Sequence, residues 1–137
     1  MTSPAPRRRR DRGSVTVELT AAFPLFGLLL MAAIQFALWQ HANHMAQAAA
    51  NEGVQIARAY GSSAAAGKSD TEALLRDLSG GALKGTSVRA SRSATTATIT
   101  ITGHAEGIIP GLTSPIRVTV TAPVERIPPL PGTTGQG

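Results

Sequence analysis

From Leu19 to Trp39 the chain passes through 21 residues without a charge, LTAAFPLFGLLLMAAIQFALW, interrupted only by Thr20, Gln35 and one proline. At about 1.5 Å per helical residue the run spans roughly 31 Å, the hydrocarbon thickness of a bilayer. A helix apolar on every side can also be a buried core helix, but the other residues offer no second segment apolar enough to enclose it. The run predicts a transmembrane helix. Its two flanks differ in charge. Arg7, Arg8, Arg9, Arg10 and Arg12 stand against Asp11 alone, so the first 13 residues carry +4 of the chain's net +5. No comparable cluster follows Trp39. Lys/Arg asymmetry close to a span sets its orientation, which places the N-terminus in the cytoplasm and residues 40–137 beyond the membrane. A polybasic run beside such a span reads as a topology signal in preference to a nucleic-acid site. The chain has no cysteine and 4% aromatic residues. That excludes disulfide scaffolds, thiolate metal sites and thiol catalysis, and leaves little for stacking on single-stranded nucleic acid.

Glu18 sits at the cytoplasmic edge of the apolar run. A carboxylate near the bilayer interior costs on the order of 2–3 kcal/mol, so it must reach the interface or acquire a partner. Around it the order is Arg12, Gly13, Ser14, Val15, Thr16, Val17, Glu18: basic leader, glycine, glutamate five positions on, then apolar helix. This arrangement resembles the class III leader of the type IV pilin superfamily, and more closely the TadE-like branch of the tight-adherence (Flp) pilus proteins, with the early Pro24. The resemblance implies cleavage after Gly13 by a prepilin peptidase, Ser14 as the new N-terminus and Glu18 as an assembly residue. Residues 14 and 18 lie about 6 Å apart along a helix, so the Glu18 carboxylate of one subunit can meet the Ser14 ammonium of a neighbour displaced by roughly one turn. The resemblance extends weakly to Ile109-Pro110-Gly111-Leu112 and the strand Ile116 to Thr121. Major Flp pilins carry tyrosine after the glutamate. Leu19 stands there here, which favours a minor pilin or pseudopilin. Implied partners are the membrane, other pilin-like subunits, assembly platform proteins and the prepilin peptidase.

Beyond Trp39 the helical pattern continues. Ala42, Ala46, Ala49, Gly53, Ile56 and Tyr60 form a heptad stripe of mostly small residues, a packing seam for a partner helix or for the chain's own sheet. One helix over 14–60, with its span at about 19–39, is therefore predicted. Gly61 to Gly67 reads as a loop. Ser69-Asp70-Thr71-Glu72 matches a capping box, followed by a short helix with Ala73, Leu74, Leu75 and Leu78 on its apolar face and Gly80-Gly81 at its end. Val88–Arg92, Thr96–Thr102 and Ile116–Thr121 read as strands, the last two alternating isoleucine, valine or alanine with threonine. Pro123 limits the third or puts it at an edge. The expected class is α+β: basic leader 1–13, long transmembrane helix, a small extracytoplasmic domain over 61–126 with a short helix and about three antiparallel strands, and a disordered Pro/Gly tail over 127–137.

Little in the chain points to catalysis or to a cofactor. No acid accompanies the pair His41 and His44 at ligand spacing and His104 lies elsewhere, while Gly103, Gly107 and Gly111 lack the spacing and strand-to-helix context of a phosphate loop. Glu106 and Glu125 fall in a loop and at a strand end, where solvation is expected. The protein is read as no enzyme, with no small-molecule substrate and no nucleic acid. Two rivals to the pilin reading are a membrane-tethered accessory protein that never enters a filament, and a secreted domain released after Ala48, since Ala46-Gln47-Ala48 fits an A-x-A signal-peptidase site.

Overall fold

The computed structural model describes residues 11–126, so leader residues 1–10 and the tail 127–137 lie outside the described residues. Helix α1 runs unbroken over Asp11–Arg58, through Pro24. Helix α2 follows at Ala64–Ser79, then strands β1 (Leu83–Arg92), β2 (Thr96–Ala105) and β3 (Ser114–Pro123). The strands form one antiparallel sheet in the order β1-β2-β3. The upper half of α1 lies over β2 and β3, and α2 packs beside it over β1. The predicted α+β architecture is what is seen: a long apolar helix, a short helix and three antiparallel strands.

The core forms where the sheet's apolar face meets small residues of α1. Ala97, Ile99 and Ile101 of β2 are fully buried, together with Ile116 and Val118 of β3, against Ala42, Ala46, Ala49, Ala50, Val54 and Ala57. Alanine at these positions lets the helix backbone approach the sheet closely. Burial of a side chain such as Ile99 contributes roughly 1.5–3 kcal/mol. The opposite face of the sheet is exposed and hydroxyl-rich. Thr98 and Thr121, directly opposed in register, share a hydrogen bond of 2.9 Å, and Thr100 and Thr119 one of 3.2 Å. Pro115 and Pro123 lie in the edge strand β3, where a missing N–H is tolerated.

Two elements begin about five residues earlier than the sequence reading. β1 begins at Leu83 instead of Val88, because a bulge lets it continue. Between Lys84 and Ser87 the register gains one residue, with Gly85 at φ +58°. Leu83 and Val88 are five positions apart, an odd spacing that would put them on opposite faces, yet both are buried because the bulge restores the phase. α2 begins at Ala64, not near Ser69. Ser63 is its N-cap, the Oγ accepting from the Ala66 N–H at 3.1 Å. Ala64-Ala65-Ala66 are the best helix formers available, and Gly67 belongs to the packed face. The buried face of α2 is Gly67, Thr71 and Leu75, whereas Leu78 is exposed. Gly80, left-handed at φ +50°, ends the helix as expected.

The helix crossing explains the glycine inside α2. A Cβ on Gly67 would lie 2.6 Å from Ala57 Cβ and 2.6 Å from the Gly53 carbonyl oxygen, and one on Gly53 would overlap Thr71 Oγ1. The two helices are in backbone contact here. Thr71 Oγ1 donates to the Gly67 carbonyl at 2.7 Å, which satisfies the buried hydroxyl within its own helix.

Candidate functional site

The lower half of α1 is exposed along its length. Every described side chain from Thr16 to Ile34 is exposed, including Val17, Leu19, Phe23, Leu25, Phe26, Leu28, Leu29 and Leu30. A helical segment so apolar and so bare requires a non-aqueous surrounding, and among the described residues α1 is the one helix long and apolar enough to cross a membrane. Thr20 lowers its own polarity by donating from Oγ1 to the Thr16 carbonyl at 2.8 Å.

Gly13, Ser14 and Glu18 all fall in α1, and the glutamate follows Ser14 by four positions. The Glu18 side chain is exposed, and among the described residues no ion pair reaches it. The seam residues divide. Ala42, Ala46, Ala49 and Gly53 are buried, Ile56 is half-buried, and Tyr60 is 70% exposed, beyond the last helical residue Arg58. The buried stripe instead continues through Ala50, Val54 and Ala57. A straight helix drifts about 20° per heptad against a 3.5-residue repeat, which carries the heptad positions off the contact face. This stripe meets the chain's own sheet and α2. Ala46, the first residue of the A-x-A tripeptide, and Ala49, just after it, lie inside the core at mid-helix.

The upper end of the apolar run is held by contacts that sequence reasoning did not find. Gln35 is buried, its Oε1 accepting from the Ile108 N–H at 3.0 Å and its Nε2 donating to Ser114 Oγ at 3.3 Å. One turn on, Trp39 Nε1 donates to the Pro115 carbonyl at 3.3 Å and its ring stacks obliquely on Phe36, centroids 5.9 Å apart. The β2–β3 connection is thereby fastened to the last turns of the apolar run. Gly107 makes room for this, since a Cβ there would collide with the Gln35 amide. The signal in the sequence was a single amide in an otherwise uncharged, apolar run.

At the far end of α1, Arg92 of β1 donates from Nη1 to the carbonyls of Ala57 and Ala59, a cation closing the helix C-terminus. Glu125 pairs with Arg58 at 2.8 Å and Glu106 with Lys84 at 3.8 Å, both on the surface. His41, His44 and His104 are exposed, and among the described residues no group of three or more His, Cys, Asp or Glu is placed to hold a metal ion.

The family model described as TadE-like protein matches residues 13–55. The match starts at Gly13, takes in Glu18, the apolar run and most of the buried stripe, and covers about a third of the chain, all of it in α1. It is the family that the sequence resembles, and it supports a role associated with the tight-adherence pilus. Neither a curated protein nor a solved structure matches the chain.

Proposed function

We propose, on the premise that residues 13–55 are TadE-like, that this chain is a minor pilin or pseudopilin acting in the assembly of a tight-adherence pilus through helix packing in the membrane. The observation that carries the reading is the division of one continuous helix. Its upper half is core to its own domain, while Val17 to Ile34 is exposed and apolar, with the exposed carboxylate of Glu18 near its base. Such a surface is completed by lipid and by like helices of neighbouring subunits. Glu18 then meets the ammonium of a neighbour's Ser14 after cleavage following Gly13, so that assembly neutralises a charge that is costly alone. The basic leader holds the N-terminus in the cytoplasm and the domain lies outside. The role is structural, and the one reaction involved is performed on the chain by a prepilin peptidase.

The test joins N-terminal sequencing of the cellular protein with pilus assembly in a Glu18→Gln variant. Ser14 as first residue, with assembly lost on Glu18→Gln while the variant protein accumulates normally, supports the pilin. An uncut N-terminus with unaltered assembly selects the membrane-tethered accessory protein and overturns this reading. A mature start at Ala49 would select the released domain. Burial of Ala46, Ala49 and Ala50 in the core speaks against it, because that cut removes Ala42 and Ala46 from beneath the sheet.

A further inference from the structure

Between Glu106 and Arg117 lie ten uncharged residues, Gly107 to Ile116, in the connection between β2 and β3 and the start of β3. Ile108 is 46% exposed and Leu112 is 51% exposed, with Pro110 and Gly111 also at the surface between them. The loop does not project into open solvent at a random height. Ile109, Leu112, Thr113, Ser114 and Pro115 line a shallow apolar cleft of about 440 Å³ whose other wall is Ala32, Gln35, Phe36 and Trp39 of α1. Those four helix residues belong to the charge-free run that fits a bilayer. Ala32 precedes Trp39 by seven residues, so the loop overlaps roughly the last 10 Å of the run.

We propose that this loop is a second membrane contact: the Ile108–Leu112 tip enters the hydrocarbon edge of the leaflet on the domain's side, and its occupant is lipid. The inference rests on the reading of α1 as a membrane span. Length is the first argument. Were the loop kept out of the hydrocarbon, the charge-free helix beneath it would be Leu19 to Met31, 13 residues. That is about 20 Å against the roughly 30 Å of a hydrocarbon core, and the shortfall would draw Glu18 inward. With the loop immersed, Leu19 to Trp39 spans the core and Glu18 stays at its edge. Polar satisfaction is the second argument. Gln35 would be an amide facing lipid; instead the loop supplies the Ile108 N–H and the Ser114 hydroxyl as its partners. Irregular backbone at membrane depth is tolerated where its polar groups are held by protein. Pro110 offers no N–H, and the Leu112 N–H is given to the Ile109 carbonyl at 3.2 Å. Trp39, its ring N–H tied to Pro115, marks the interface in the manner of an aromatic belt. The charged and titratable side chains that flank the loop and the end of the run, His41, Lys84, His104, Glu106 and Arg117, are all exposed.

The chain contains no cysteine, so single-cysteine variants report one site each. Leu112→Cys probes the loop, Phe26→Cys the middle of the span, and Ala94→Cys the β1–β2 turn beside the opposite end of α1. Each full-length variant carries a nitroxide label in vesicles of phosphatidylethanolamine and phosphatidylglycerol, and power saturation compares access of oxygen with that of a water-soluble nickel chelate. All three side chains are exposed, so the substitutions leave the core intact. The expected oxygen-to-nickel ratio at Leu112 exceeds that at Ala94 several-fold and approaches that at Phe26. A nickel-accessible Leu112 beside an oxygen-rich Phe26 overturns the loop contact and leaves the membrane span standing. A Leu112 shielded from both reagents means that protein covers the loop, and also overturns it. A nickel-accessible Phe26 removes the membrane span and with it the premise.

Discussion

Gly67→Ala isolates the close crossing of α1 and α2. In an exposed helix the change would stabilise, since glycine is about 1 kcal/mol worse than alanine in a helix interior. Here the new methyl would meet Ala57 Cβ and the Gly53 carbonyl oxygen, each at 2.6 Å, against ordinary contact from 3.4 Å. Neither obstacle can swing aside, one being a Cβ fixed to its backbone and the other backbone itself. The helices must part by about 0.8 Å, and overpacking of this kind costs typically 1–3 kcal/mol. Net destabilisation of up to about 2 kcal/mol is expected, a fall in Tm of as much as roughly 10 °C for a unit of this size. Gly53→Ala forces the same separation, through Gly67 O at 3.0 Å and Thr71 Cβ at 3.1 Å. The double variant should therefore cost less than the sum of the two by about 1 kcal/mol, beyond the 0.3–0.5 kcal/mol within which independent sites add. Gly27→Ala, whose new methyl would have nothing within 4 Å, is the control and should not destabilise. Thermal unfolding in detergent micelles, followed by circular dichroism, measures all four. A rise in Tm for Gly67→Ala, or strict additivity of the pair, refutes the close crossing.

Other expectations follow from single contacts. Arg92→Met, which uncaps the Ala57 and Ala59 carbonyls, should lower unfolding free energy by about 1–2 kcal/mol, with Arg92→Lys recovering part, by the same melting assay. Ile99→Ala empties a fully buried site between sheet and helix and should cost about 2–5 kcal/mol in denaturant titration. Gln35→Leu leaves the Ile108 N–H without its acceptor, a penalty of about 1–3 kcal/mol that should speed amide exchange at Ile108 about 10- to 100-fold. Glu125→Gln should change stability by less than about 1 kcal/mol, since its side chain is 52% exposed and the backbone bond from Glu125 N to the Arg58 carbonyl at 3.0 Å survives.

What could be read from the sequence was what periodicity controls. The uncharged run, the continuation of its helix and the threonine-flanked strands around Ile99, Ile101, Ile116 and Val118 follow from patterns of 3.6 and 2 that local residues dictate. The features that escaped depend on contacts between distant segments. Gly67 looks like a loop residue until α1 is known to press against it, and the Ser69-to-Glu72 cap pattern is outweighed by Ser63 ahead of three alanines. Leu83 joins β1 only because Gly85 absorbs one residue. The grip of Gln35 on residues 108 and 114 pairs positions more than seventy apart, so the lone amide in the apolar run marks one end of the contact and nothing local marks the other.

One helix serves as both root and keel. Arg58, its last residue, is bonded to Glu125 just past the final strand, and Gln35 within its apolar run is bonded to Ile108 in the loop before that strand and to Ser114 at its start. No pliant tether separates the part immersed in lipid from the part that folds above it. A tug along the rod axis must lift the sheet by an equal distance, so a subunit drawn upward out of the bilayer would deliver its globular end at a fixed height and with a fixed facing.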